Sequence, residues 1–295
     1  MPRLLEITYD GGPILDVVFA AQRRSLGSEL GRGFLHVDLR GHNTKGRAKL
    51  LQAAARHRWD AVLIRGVRGM EEALPFFTGT PFFLDHVGGY DFGLKNEFSP
   101  IAFKLRRAFC YSPQADNELR DAGFGKITTM AGPSLPDLRT PAPTGDLPVL
   151  GLLDTGHGAR QALARIKQVR AAQGWGFDIV TTLKDSQARQ VAHPFEVAEQ
   201  CNVLACPMEF RDQGTPHEGA ILALSVGRAL ATSQTSAMLA LPYTPAKYIH
   251  VEKYGLGGYG TCWEVYRRSR ARLDDWPDRA RTDHSRIARE ILERM

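Results

Sequence analysis

Residues 201–233 read CNVLACPMEFRDQGTPHEGAILALSVGRALATS, and their pattern decides the fold class. Asn202 to Cys206 is a short apolar run stopped by Pro207. A polar loop carrying Gly214 and Pro216 follows, then an apolar segment that closes at Gly227, and Arg228 to Ser233 begins a second short run. Length and punctuation make this strand, loop, helix, strand, with the loop beyond the carboxyl end of the first strand. In an open parallel sheet ligands sit there, because the next helix N-terminus offers unpaired N–H groups and a partial positive charge. A nucleoside diphosphate suits such a terminus.

The same alternation extends both ways. Arg3 to Tyr9 reads as a strand, Asp10-Gly11-Gly12-Pro13 as a turn and about Ile14 to Leu26 as a helix. Strands at Phe34 to Leu39, Ala61 to Ile64 and Pro81 to Leu84 alternate with helices at Lys45 to His57 and Met70 to Phe77. The fourth strand runs into Asp85-His86-Val87-Gly88-Gly89. Pro100 to Arg107 fits a helix, Ala108 to Ser112 a strand, Ala115 to Ala122 a helix stopped by Gly123, and Ile127 to Met130 a strand. Alternation of this kind builds βαβ units and a parallel sheet with helices on both faces.

Pro133, Pro136, Pro141, Pro143 and Pro148 then crowd one interval with Gly132 and Gly145. Proline at that density blocks helix and central strand alike, so a domain boundary is expected near residues 133–146. The expected domains are 1–138 and 146–295. The second restarts the pattern with a strand at Val149 to Leu153, a turn at Asp154 to Gly158, a helix at Arg160 to Ala172 and a strand at Asp178 to Leu183. A short helix or loop and Phe195 to Gln200 come before the opening stretch; a strand at Lys247 to Val251 and helices at Trp263 to Leu273 and Ser285 to Arg294 come after it. The last helices are expected to cross back to the first domain.

A chain of 295 residues suits two domains of about 150 residues each. Its 43% hydrophobic and 24% charged content is that of a soluble globular protein, which excludes fibrous and disordered classes. No apolar run approaches the roughly 18–20 residues that span a bilayer. Glu6 and Asp10 also interrupt any signal-peptide core, so a cytoplasmic location is expected. Cys110, Cys201, Cys206 and Cys262 show no CxxC spacing and are expected to be reduced thiols packed in strands, with no metal site. His36, His42, His57 and His193 lack ligand spacing and are read as structural.

The net charge of +6 is unevenly spread. Between Arg23 and Arg68 stand eleven Lys or Arg against Glu29, Asp38 and Asp60, and Arg267, Arg268, Arg270 and Arg272 form a second cluster. Two readings stay open: a solvated helix surface, or attraction of a polyanion such as DNA, RNA or an anionic lipid surface.

Two α/β domains with a proline-rich hinge resemble the GT-B glycosyltransferases, and in particular the retaining nucleotide-sugar clan that includes glycogen synthase. The residues carrying the likeness are Ala108 to Ser112, AFCYS, the helix ending at Gly123, Lys126 to Gly132, the strand at Val149 to Leu153, and Ile221 to Ser233, ILALSVGRALATS. The resemblance implies two Rossmann-like domains facing a cleft. It also implies sugar transfer from a nucleoside-diphosphate sugar such as UDP-glucose, without a metal or other cofactor. One departure stands out. The family's paired glutamates, eight residues apart, fall on Gly214 and Leu222; Glu218 is the nearest acid.

By this likeness the departing diphosphate meets Arg160, Lys184, the helix start at His217, Glu218 and Gly219, and Thr235 and Ser236 after the next strand. Gly11 and Gly12, where the main chain can approach a ligand closely, join these donor contacts. If the reaction inverts the anomeric centre, Asp85 is the first choice of general base, with His86 and Asp10 as its catalytic neighbours; if it retains, no base is required and these residues only position substrates. Arg40, Lys45, Arg65 and Arg68 would hold an anionic acceptor: a hydroxymethylated base in DNA, as in phage genome-modifying transferases, or an anionic lipid or cell-wall polymer. The alternatives are a non-catalytic two-domain nucleotide- or nucleic-acid-binding protein, which the missing glutamate pair favours, and a sugar-nucleotide epimerase. The sequence does not set the oligomeric state.

Overall fold

The structure is a computed structural model that describes residues 2–87, 105–130, 135, 138, 140–145, 147–153, 159–174, 176–206, 218–232, 248–250 and 285–295. The chain divides into two compact units, one built chiefly from Met1–Pro133 and Asp283–Met295, the other chiefly from Ser134–Gln213 and His217–Thr282.

The first unit carries strands β1 (Leu4–Thr8), β2 (Phe34–Asp38), β3 (Ala61–Arg65), β4 (Phe82–Asp85), β5 (Leu105–Cys110) and β6 (Ile127–Thr129). All pair in parallel, in the order β2-β1-β3-β4-β5-β6. Its helices are α1 (Pro13–Leu30), α2 (Thr44–Ala54), α3 (Val67–Ala73), α4 (Pro113–Asp121) and, from the end of the chain, α8 (Ser285–Leu292). The starts follow local chemistry. Pro13 and Pro113 take first-turn positions where no N–H is missed, the Asn43 side chain accepts the Gly46 N–H at 2.9 Å, and Ser112 Oγ accepts the Ala115 N–H at 3.1 Å.

Strand periodicity sorts the sheet into two unlike faces. Leu5, Ile7, Val62, Ile64, Phe82, Leu84, Ala108 and Cys110 pack against Leu51 and Ala54 of α2, Met70 and Ala73 of α3, and Ala115 and Leu119 of α4 in one apolar cluster. Each such side chain contributes about 1.5–3 kcal/mol when fully buried. The alternate positions, which include Glu6, Thr8, Arg65 and Asp85, meet α1 instead, with the Arg65 guanidinium 4.3 Å from the centre of the Phe19 ring. α8 packs on α1 and buries Ile287, Ala288 and Ile291.

The second unit carries β7 (Val149–Leu152), α5 (Ala159–Gln173), β8 (Asp178–Thr181), β9 (Arg189–Gln190), α6 (Pro194–Glu199), β10 (Val203–Cys206), α7 (Glu218–Val226), β11 (Ala229–Thr232) and β12 (Tyr248–His250). Its sheet is also parallel, in the order β12-β11-β10-β7-β8-β9, the doubly wound arrangement of dinucleotide-binding domains. Its central strands β7, β10 and β11 are apolar on both faces, as strands covered by helices on both sides are. Gly151 in β7 is required by α6: a Cβ there would lie 2.8 Å from Cys201 Sγ and 2.9 Å from Val197 Cγ1. Cys110 and Cys201 are free thiols, and burial pushes them up to about 11 and about 12.

One expected element differs. The helix read over Pro100 to Arg107 is strand from Leu105 onward, and residues 100–104 lie outside the described residues. A bulge opposite Phe82 and Phe83 pairs Phe82 with Leu105 and Phe83 with Arg107, so the extra residue breaks the two-residue alternation that marks a strand. The helix expected at Trp263 to Leu273 and the turn at Asp154 to Gly158 also lie outside the described residues. Among the described residues no helix is long and apolar enough to cross a membrane.

Candidate functional site

Strand order locates the ligand edges. In the first sheet the connections part between β1 and β3, and in the second between β7 and β10; crevices open there beyond the carboxyl ends of the strands.

In the first unit the loop leaving β1 is Tyr9-Asp10-Gly11-Gly12. Its start is held by β3, because the Tyr9 and Asp10 N–H groups both reach the Arg65 carbonyl, at 3.0 and 3.2 Å. Asp10 is half-buried and lies against Gly66, where any Cβ would strike its carboxylate; Gly66 also has a φ of +101° that disfavours other residues. Gly11 has a φ of +133°, and a Cβ there would lie 2.9 Å from Phe19 Cε2. Arg40 braces the same loop: it donates to the Gly11 carbonyl at 3.3 Å, to Asp16 at 2.5 Å and to Asp38 at 2.6 Å. Its hydrogen bonds hold the Asp38 carboxyl below its ordinary value despite partial burial. The charge of Arg40 is therefore matched inside the fold.

A second brace, absent from the sequence reading, flanks this loop. Arg47 grips Glu72 at 2.6 and 2.8 Å and donates to the His42 carbonyl at 2.6 Å, while the Tyr9 hydroxyl donates to Glu72 at 3.1 Å. Burial and the Glu72 hydrogen bond push the Tyr9 hydroxyl up.

Three expected site residues, Asp85, Arg65 and His86, are placed differently from their expected roles. Asp85 and Arg65 are both fully buried and bonded to each other. Asp85 Oδ1 also accepts the Tyr111 hydroxyl at 2.7 Å, and Arg65 Nε donates to Glu6 Oε1 at 2.9 Å. Arg23 reaches the same Glu6 oxygen at 3.2 Å. Burial raises the Asp85 carboxyl above its usual value against the pull of Arg65 and Tyr111. Burial alone would lower Arg65, but Glu6 and Asp85 together raise it. Asp85 thus has neither the exposure nor a spare face for a general base, and Arg65 cannot meet an anionic acceptor; both assignments are withdrawn. His86 is buried as well, its N–H bonded to the Phe109 carbonyl at 2.9 Å, and burial drives its imidazole down to about 4. It is neutral at pH 7 and out of reach of substrate. One signal could have shown this: Glu6, Arg65 and Asp85 stand on strands whose other positions, Thr8 apart, are all apolar.

In the second unit β10, β7 and β8 are adjacent, so the segments after them share one edge. Arg160, exposed, opens α5 after β7, and Lys184, also exposed, lies just beyond β8. Glu218, half-buried, and Gly219, buried, open α7 after β10. His217, Thr235 and Ser236 lie outside the described residues, as does the side chain of Arg68. Leu222, where the resemblance calls for an acid, is fully buried among apolar neighbours.

No known family model matches the chain, and no curated protein does. Solved structures do. MurG of Acinetobacter baumannii superposes over 100% of both chains at a TM-score of 0.58 and 10% identity. The glycotransferase of kitacinnamycin covers 100% of this chain and 99% of its own at 0.55 and 13%. The fold is GT-B. A Listeria monocytogenes protein named for UDP-N-acetylglucosamine 2-epimerase shares it over 98% of this chain and 91% of its own, at a TM-score of 0.50 and 11% identity. The first unit carries the Asp10 edge, and the second carries its own edge with Arg160, Lys184 and Glu218.

Proposed function

We propose that the protein is a cytoplasmic glycosyltransferase that moves a sugar from a nucleoside-diphosphate sugar, with UDP-glucose the first donor to test, to a hydroxyl of an anionic acceptor. A hydroxymethylated base in DNA is the favoured acceptor. The main support is the full-length likeness to a glycotransferase, joined to a second unit with the dinucleotide-binding strand order.

In this reading residues 146–295 hold the donor. Arg160, Lys184 and the α7 start at His217, Glu218 and Gly219 offset the diphosphate charge, and Thr235 and Ser236 add hydroxyl donors. Residues 1–138 hold the acceptor, with Lys45 and Arg68 as cations, while Gly11 and Gly12 let the main chain approach the donor. Asp10 replaces Asp85 as the base, since it is the half-exposed carboxylate at the crevice. The acceptor oxygen attacks the anomeric carbon and its proton passes to Asp10. The bond from that carbon to the diphosphate oxygen breaks, and the nucleoside diphosphate leaves with the electron pair.

A thermal-shift panel of nucleotide sugars, followed by transfer of labelled sugar to hydroxymethylated DNA, tests this. One donor should raise Tm and label the DNA, and Asp10→Asn should lower kcat by about 10²–10⁴ with donor affinity kept. Stabilisation by no nucleotide, or full activity in Asp10→Asn, overturns the assignment. The likeness to the epimerase-named structure favours a second reading, in which a nucleotide sugar is epimerised. Recovery of the epimeric nucleotide sugar without acceptor would support it.

A further inference from the structure

Eight of the eleven basic residues of the Arg23 to Arg68 interval fall into two groups. Arg23, Arg40, Arg47 and Arg65 are held by carboxylates. Lys45, Lys49, Arg56 and Arg58 are exposed, and none of the four is held by a carboxylate among the described residues. Lys45 and Lys49, with the exposed Gln52, recur at intervals of four and three residues, which is one side of a helix, and the exposed Arg56 follows in the turn just past its end. This is the side of α2 opposite Leu51 and Ala54, which it buries in the core.

The row has a direction and an end. α2 starts beyond the carboxyl end of β2 and finishes before the amino end of β3, so it crosses the sheet from the Asp10 edge to the opposite edge. At 1.5 Å per residue, Lys45 and Lys49 stand about 6 Å apart along the axis, and Arg56 comes two residues after the last helical residue, Ala54. The residues that follow Arg56 line a groove of about 410 Å³, where His57, Arg58, Thr78 and Thr80 stand beside Trp59 and Phe76. His57 is exposed, and its ring is set edge-on against Trp59 at 6.1 Å and 70°. The acid of the groove, Asp60, accepts the Arg3 N–H at 2.8 Å.

We infer that the outer face of α2 and the groove at its end bind a strand of nucleic acid, the cations tracking its phosphates and His57 stacking on a base. The inference rests on the anionic-acceptor part of the proposed function and assigns that acceptor an anchoring surface. A line of charges ending in a recess with hydroxyls and a braced ring matches a single strand, whose binding combines a basic track with aromatic stacking. An anionic membrane would call for a flat basic face with apolar side chains to insert.

The test is fluorescence anisotropy of a labelled twelve-nucleotide strand across a salt series, without sugar donor, on the full chain. Lys45→Ala, Lys49→Ala, Arg56→Ala and Arg58→Ala together should weaken Kd at least about tenfold and flatten the log–log salt slope by about 3. His57→Ala should weaken Kd about fivefold with the slope kept. Wild-type affinity in the fourfold variant, with an unchanged thermal melt, overturns the inference. Capture by phosphatidylserine vesicles through the same four residues, with no strand binding, also overturns it. Strand binding with no sugar transfer removes only the transferase assignment; transfer to DNA with α2 dispensable for strand affinity removes only this one.

Discussion

Among the described residues each unit buries one arginine, and the two are held in different surroundings. Arg65, in the first sheet, faces two carboxylates, Glu6 and Asp85. The described partners of Arg228, just before β11 in the second, include many carbonyl oxygens and a hydroxyl: Nε bonds the Ala198 carbonyl at 2.9 Å, and the terminal nitrogens bond the Thr140 carbonyl at 2.9 Å and hydroxyl at 2.8 Å, and the carbonyls of Val226 at 3.1 Å, Pro141 at 3.2 Å and Glu199 at 3.2 Å. Arg65 ties three strands together through opposite charge. Arg228 fastens the proline-rich residues 140–141 to α6 and α7 through dipoles. Full counter-charges make the first unit sensitive to pH and to single charge deletions. Dipoles leave the second sensitive chiefly to shape.

The largest effect should come from Arg65→Met, which strands two buried carboxylates and should cost about 3–5 kcal/mol in urea unfolding. Replacing the whole group, with Glu6→Met, Arg65→Met, Asp85→Leu and Tyr111→Phe, should recover most of it. A compensated variant as unstable as the single one would break the comparison. The single variant's deficit should also shrink in acid, where the stranded carboxylates take up protons.

Next is pH itself. His86 has a folded value near 4 against an ordinary 6.5, so its neutral form favours folding. That contribution is complete above about pH 6.5 and fades as pH falls toward 4, up to about 3 kcal/mol. His36, also lowered first by burial, acts in the same direction; Asp85, raised, acts oppositely and offsets part of the loss. Unfolding midpoints between pH 7 and 4 should fall for the wild type and fall less for His86→Gln.

Arg228→Met should cost about 2 kcal/mol, because several of its acceptors can turn to water or to one another. This deficit should stay constant from pH 7 to 4, in contrast to that of Arg65→Met. A pH-dependent deficit at Arg228 would show that the two sites do not differ as described. The smallest effect should be Gly151→Ala, about 1 kcal/mol, reduced further by Cys201→Ala, which removes the sulfur 2.8 Å from the new methyl.

The sequence made the alternation of elements legible because each strand is a short apolar run and each helix has a start signal. Val203–Cys206, Glu218–Val226 and Ala229–Thr232 follow the opening reading closely. β5 was harder to read because a bulge disturbs its period, and β9 because two exposed polar residues form an edge with no apolar signature. Within the site, Asp10 and its glycines were legible as a strand-end turn. Asp85 and Arg65 were misread because a charged residue at a strand end looks exposed. Only the parallel register that sets Arg65 beside Asp85, with α1 laid above, shows that they satisfy each other.

The position of α8 bears on how the protein is made. The first unit's sequence runs to Pro133 and resumes at Asp283, about 150 residues later. At the usual pace of synthesis of about 5–20 residues per second, α1 therefore waits roughly ten to thirty seconds for the helix that covers it. Nearly all of the second unit is translated during that wait, so the older first unit is closed only once the younger one has been made.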